Sequence, residues 1–148
     1  MPKLHEPSYR ELIKSRVKAV QADSPRTWGT MTVDQMVWHL AQALEVCLGR
    51  LSSGPEKAPF PLPKPMLRFF VLDMPWPKGA PTMQVTTARN QYDLEAERAR
   101  CLRLIDDFAS RPLNGTWPVH PVLGSMSGDQ YSRLQARHFD HHLKQFGV

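Results

Sequence analysis

A chain of 148 residues with 41% hydrophobic and 22% charged side chains is long enough for one domain with its own core and too apolar for wholesale disorder. Its longest apolar run, Phe69-Phe70-Val71-Leu72, is far short of the ~20 residues that span a bilayer, and Met1-Pro2-Lys3-Leu4-His5-Glu6 has no apolar stretch of the kind a secretory signal needs. The net charge of +5 is dispersed: Arg10, Lys14 and Lys18 recur on one solvated face of the first predicted helix without interleaved aromatics, so nucleic acid is not the expected partner.

Four long segments read as helix. The first begins at Ser8, where Ser8 and Glu11 have capping-box spacing behind Pro7, and carries the stripe Tyr9, Leu12, Ile13, Val17, Val20 to a turn at Asp23-Ser24-Pro25. The second begins at the box Thr32…Gln35, with Val33, Met36, Val37, Leu40, Leu44 and Cys47 inward and Gly49 at its end. The third covers about 89–110, with Tyr92, Leu94, Cys101, Leu102, Ile105 and Phe108 inward and Pro112 beyond. The fourth starts at the box Ser127…Gln130 and runs to Gln145 or Phe146. Cys47 and Cys101 on these stripes read as small buried hydrophobes, which points to a reduced, cytoplasmic compartment.

About ten residues join the first two helices, which makes them antiparallel neighbours. Between the second and third lies a crossover, residues 51–87, holding Pro55, Pro59, Pro61, Pro63, Pro65, Pro75, Pro77 and Pro81 of the fourteen prolines. A connection of that length lets helices two and three run parallel. A short helix is expected over Leu67–Leu72 and an extended piece over Met83–Thr87. The fold expected for residues 1–148 is therefore a single all-α domain, a four-helix bundle with one long Pro-rich crossover.

The fourth helix ends in Arg137-His138-Phe139-Asp140-His141-His142-Leu143. On a helical wheel, His138 and His142 fall in the arc of Tyr131, Leu134, Ala136, Phe139, Leu143 and Phe146, while His141 lies at its edge and Asp140 points outward. Two imidazoles on a packing face need a partner, because an unsatisfied buried polar group costs about 1–3 kcal/mol. At a spacing of four residues both nitrogens can converge on one divalent ion. A third ligand has to come from His5, His39 or His120. His5 lies in a segment expected to fray, and His39 sits mid-helix at the edge of its stripe. The alternative is a hydrogen-bonded histidine pair in the core with His39 partly exposed. His120 reads as a turn residue before Pro121 or as a pocket wall. Trp76 and Trp117, in Pro-rich loops, suit either an interface or a cover over the bundle's open end.

Other chemistries lack their residues. Met36, Gln135 and Phe139 stand three positions before His39, His138 and His142, where a carboxylate-bridged dinuclear bundle needs Glu. No nucleophile elbow, phosphate-cradling loop or His-Glu-x-x-His occurs.

The segment Trp28-Gly29-Thr30-Met31-Thr32-Val33-Asp34-Gln35-Met36-Val37-Trp38-His39-Leu40, the loop His120-Pro121-Val122-Leu123-Gly124, and the ending Arg137-His138-Phe139-Asp140-His141-His142-Leu143-Lys144-Gln145-Phe146 together resemble the DinB/YfiT-like superfamily, and within it an uncharacterised bacterial branch. These blocks cover about a third of the chain. The resemblance implies a bundle with its crossover between helices two and three, and one metal held by His39, His138 and His142, with zinc or nickel favoured and iron as a further choice. It also implies thiol-dependent transferases or isomerases, or metal-dependent hydrolases, as models of activity. The expected function is a metal-dependent enzyme whose ion activates a low-molecular-weight thiol or water against a small electrophile, with Gln145 and Tyr131 orienting the ligands or the nucleophile. The alternative is a non-catalytic metal-binding stress-response or interaction protein, with a homodimer among its forms.

Overall fold

The computed structural model describes residues 1–51 and 54–148; Ser52 and Ser53 of the crossover lie outside the described residues. The described residues form five helices, α1 (Pro7–Ala19), α2 (Val33–Cys47), α3 (Lys64–Asp73), α4 (Leu94–Ser110) and α5 (Gly128–Gln145), with a 3₁₀ turn at Gln84–Thr86 and no strand among them. None of these helices is long and apolar enough to cross a membrane.

Helix starts follow capping chemistry, with two departures from expectation. The Ser127–Gln130 box closes in both directions: Gln130 N–H donates to Ser127 Oγ at 3.2 Å and Ser127 N–H donates to Gln130 Oε1 at 3.0 Å. At α2, Thr32 N–H donates to Gln35 Oε1 at 3.0 Å, and Gly49, at φ +72°, follows its end. The box predicted at Ser8 does not form. Pro7 occupies the first helical turn instead, with Glu6 before it, as suits a ring whose fixed φ is helical and whose missing N–H is an orphan there. The third predicted helix starts five residues late: Asp93 caps it by accepting from Ala96 N–H at 2.9 Å, and Tyr92 lies outside it, stacked on Trp38 with centroids 4.8 Å apart. Within the crossover the short helix is longer than predicted, and Met83–Thr87 is wound into the 3₁₀ turn rather than extended.

Polar contacts fix the relative directions. Asp34 accepts from Tyr92 N–H at 2.8 Å, Arg100 donates to Gln42 Oε1 at 2.8 Å, and Arg50 pairs with Asp107 at 2.9 Å, so α2 and α4 run parallel, as the crossover length predicts. Lys14 pairs with Asp106 at 2.8 Å, and Arg98, buried, donates to the carbonyl of Val17, which sets α1 antiparallel to α4. Against α5, Tyr9 donates to the carbonyl of Ala136 at 3.3 Å and Arg16 pairs with Asp140 at 2.9 Å. One apolar cluster draws on all five helices, with Tyr131, Phe108 and Phe139 among the largest fully buried side chains. Cys47 and Cys101 are both buried and free, as their stripes predict. Leu12 is the exception on the first stripe, at 52% exposed.

The N-terminus is tied down rather than frayed. Leu4 is fully buried, and the His5 ring spans Ser132 Oγ at 2.9 Å and the carbonyl of Arg111 at 2.9 Å. His5 therefore stays at this end of the molecule, away from the other histidines. Trp76 and Trp117 both fold over the helices: Trp117 stacks on Tyr131 at 5.3 Å, and Trp76 lies 6.0 Å from the His138 ring.

Candidate metal centre

Antiparallel packing of α5 on α2 brings three histidine rings together. The ring centroids of His39, His138 and His142 lie 4.7, 4.7 and 4.9 Å apart, and one ring nitrogen of each lies within 4.8 Å of the others. His39 is 3% exposed, deeper than its place on the wheel predicts, because the 3₁₀ turn of the crossover covers that edge of α2.

The outward contacts of these rings set their tautomers. His39 Nδ1 lies 2.7 Å from the carbonyl oxygen of Thr86. A carbonyl only accepts, so Nδ1 carries the proton and Nε2 presents a lone pair. His142 Nδ1 lies 3.0 Å from Gln145 Oε1, and the Gln145 amide is held that way round because its Nε2 donates to the carbonyl of Trp28 at 2.7 Å. His142 therefore also turns a bare Nε2 inward. His138 is the adaptable member: its Nε2 is 2.8 Å from His39 Nε2, while its Nδ1 is 3.4 Å from Gln135 Oε1. With His39 Nε2 bare, His138 Nε2 is the donor of that pair; to hold an ion it would carry its proton on Nδ1, toward Gln135 Oε1. Second contacts that fix ring orientation in this way are the usual support of a histidine metal site.

Burial lowers the pKa of all three rings. For His39 the hydrogen bond it donates to the Thr86 carbonyl works against that shift; His138 falls well below 6.5, helped by the neighbouring rings; His142 is lowered to about 3. All three are neutral at pH 7, the form in which imidazole ligates. The donor set thus fits a divalent ion: three neutral nitrogens, two with their lone pairs already directed inward. The alternative of a His138–His142 pair with His39 partly exposed does not hold, since His39 is buried and is itself the hydrogen-bond partner of His138.

The other predicted residues divide. Gln145 supports His142, as expected of an orienting residue. Tyr131 does not reach the site: its hydroxyl donates to the carbonyl of Pro118 at 2.8 Å, under Trp117. His120 is a turn residue and a cavity wall at once, with Nδ1 accepting from the N–H groups of Val122 and Leu123 at 3.1 Å each. His141 stands between Trp28 and Trp76, at 5.6 and 5.4 Å, on the cavity wall. Asp140 faces outward to Arg16 and Lys144. Sequence reasoning missed Thr86, which acts through its backbone, and Gln135, whose Nε2 also donates to Cys47 Sγ at 3.0 Å.

Gly29 explains the Trp-Gly pair before α2. At φ +83° it turns the chain so that the Trp28 carbonyl meets Gln145, and a β-carbon there would collide with the Gln145 amide. We expect Gly29→Ala and Gln145→Ala each to weaken metal binding by about 10–100-fold, the usual cost of losing such a support, measured by competition with a chelating dye. Unchanged affinity in both would leave His142 needing no such support.

A cavity of about 840 Å³ opens onto the three rings, walled by α3 and the crossover on one side and by α2 and α5 on the other. No curated protein and no solved structure matches the chain. A family model described as "Protein of unknown function (DUF1569)" matches residues 10–147, and the chain belongs to that family.

Proposed function

We propose that this protein is a metal-dependent enzyme of the DinB/YfiT-like superfamily, a four-helix bundle whose His39, His138 and His142 hold one divalent ion, zinc or nickel before iron. The cavity that reaches the three rings carries this reading. Three protein ligands would leave a coordination position open, the arrangement of catalytic rather than structural sites, and the cavity lined by the three rings has the size of a small-molecule site. A divalent ion bound there supplies Lewis acidity, bringing a thiol or water toward ionisation near neutral pH.

The chain's own residues do the rest. Thr86, Gln135 and Gln145 hold the ligand rings in register. His141, on the cavity wall and kept neutral at pH 7 by a burial-lowered pKa, is the imidazole free to take the proton that a thiol or water gives up. Asp140 is spent on Arg16 and Lys144 and has no such role. The reaction is attack of a thiol or water on a small electrophile, the new bond to sulfur or oxygen forming as the electrophile's bond to its leaving group breaks, with the nucleophile's proton passing to His141.

Cobalt-loaded protein tests the open position. Adding a small thiol is expected to produce a thiolate-to-cobalt absorption band and to change the visible spectrum. A spectrum indifferent to thiol and to pH between 6 and 9 (about one unit below and two above the ~7 expected of an ionising metal-bound group) would mark a sealed ion, and the protein would then be a metal-stabilised binding or stress-response protein.

A further inference from the structure

The cavity also bears on what is bound. Among the described residues of its wall only Glu56 and Lys57 are charged apart from histidines. The Glu56 carboxylate is already spent, accepting from the N–H groups of Gln84 at 2.6 Å and Val85 at 3.3 Å, and Lys57 is exposed at the rim. The nearby cations of α3 are turned elsewhere: Arg68 donates to the carbonyl of Leu123 at 2.8 Å and Lys64 to that of Val122 at 3.5 Å. Away from the three imidazoles, where the proposed ion would sit, an ionised group brought into the chamber would lose its hydration with no free countercharge to replace it, which is strongly unfavourable.

Apolar side chains make up most of the rest of the chamber, with Thr82, Gln84, Thr86 and His120 among its polar members. Leu67 and Val71 of α3 face inward with Leu62 and Leu134, and Trp76, fixed by its indole N–H donating to the carbonyl of Val71 at 2.7 Å, closes the side next to His138. The same chemistry continues to the surface, where Phe60, Phe70 and Met74 line the cavity yet are 57%, 45% and 40% exposed. Large exposed apolar groups grouped at a cavity mouth mark a contact site rather than ordinary surface. The densest polar group of the lining is the three imidazoles, with Gln135 bonded to His138 and to Cys47.

From this juxtaposition we propose that the substrate is an uncharged, bulky, largely apolar molecule with one reactive polar group. It enters past Phe60, Phe70 and Met74, lays its body against Leu67, Val71 and Trp76, and presents that group to the three histidines. The inference rests on the site reading above for the position of the reactive group, and on the cavity alone for the class of molecule.

Two dyes with the same aromatic frame separate the classes: neutral N-phenyl-1-naphthylamine and its sulfonated relative 8-anilino-1-naphthalenesulfonate. We expect the neutral dye to bind saturably, one per chain, at least tenfold more tightly than the anionic one despite the protein's net charge of +5. Phe70→Glu at the exposed mouth and Val71→Arg within should each weaken it tenfold or more, with circular dichroism confirming that both variants fold. Binding of the anionic dye as tight as that of the neutral one, absence of saturable binding, or indifference to both substitutions would overturn the proposal. His138→Ala keeps the two readings apart. Dye binding retained in that variant supports the cavity whatever the metal content shows, whereas a wild-type protein that takes no metal but binds the neutral dye sinks the metal site alone.

Discussion

Alanine at position 138 is expected to strip the protein of its ion. Full structural sites with four ligands bind zinc with about 10–16 kcal/mol, so removing one imidazole of three costs about 3–4 kcal/mol, or a factor of roughly 10²–10³ in affinity. Wild-type protein should retain close to one equivalent of metal after dialysis against a moderate chelator, while His138→Ala and His39→Ala retain almost none. His141→Ala, off the ligand set, should keep the full equivalent. Stability follows by mass action: an ion present at a thousand times its dissociation constant contributes about 4 kcal/mol, so a strong chelator should lower the wild-type Tm by roughly 10 °C and leave that of His138→Ala unmoved. Once chelated, the two proteins should differ by about 1–3 kcal/mol, the cost of leaving the buried His39 Nε2 without its partner. Full retention of metal by His138→Ala would end the three-histidine assignment.

How much of this was legible in the chain depends on where each residue's environment comes from. On α5 the answer is nearly all. The Ser127–Gln130 box fixes its start, and the wheel places His138 and His142 inward because their surroundings come from the helix's own apolar face. His39 was harder. A wheel measures a side chain against its own helix, whereas His39 is covered by Thr86, in a Pro-rich segment with no periodicity to read. The cavity was hidden for the same reason, since Phe60, Phe70 and Trp76 belong to that segment. Tyr131 shows the opposite failure. It shares the face of His138, but seven residues of helix separate them by roughly 10 Å along the axis, a distance the wheel collapses. The contact of Gly29 with Gln145 joins positions far apart in the chain, so nothing local to Trp28-Gly29 announces it.

Metal-free protein should lose stability as the pH falls below about 6.5, well before its carboxylates titrate. His120 is held down to about 4, by burial and then by the nearby Lys64 charge, and His142 to about 3. His39, His138 and His5 are lowered in the same direction. In the unfolded chain each reverts to about 6.5. Below that value the unfolded state takes up protons that the folded state refuses, so the contribution present at pH 7 is lost progressively as the pH falls toward the folded values. Each such histidine costs up to 1.36 kcal/mol per pH unit. By pH 4.5 His120 and His142 alone account for roughly 5 kcal/mol, comparable with the lower end of total domain stability. Asp34 and Asp140, whose pKa values are lowered, lose their contribution only below about pH 4. Urea midpoints measured with a chelator present should therefore fall steadily between pH 6.5 and 4.5. His120→Asn keeps an acceptor for the Val122 and Leu123 N–H groups without an ionisable ring, and should make that fall shallower by close to one proton's worth. Metal-loaded protein, whose ligands must shed the ion before taking protons, should hold its midpoint further into acid. A midpoint flat from pH 7 to 5 in the chelated protein would mean that these imidazoles are solvated and not enclosed.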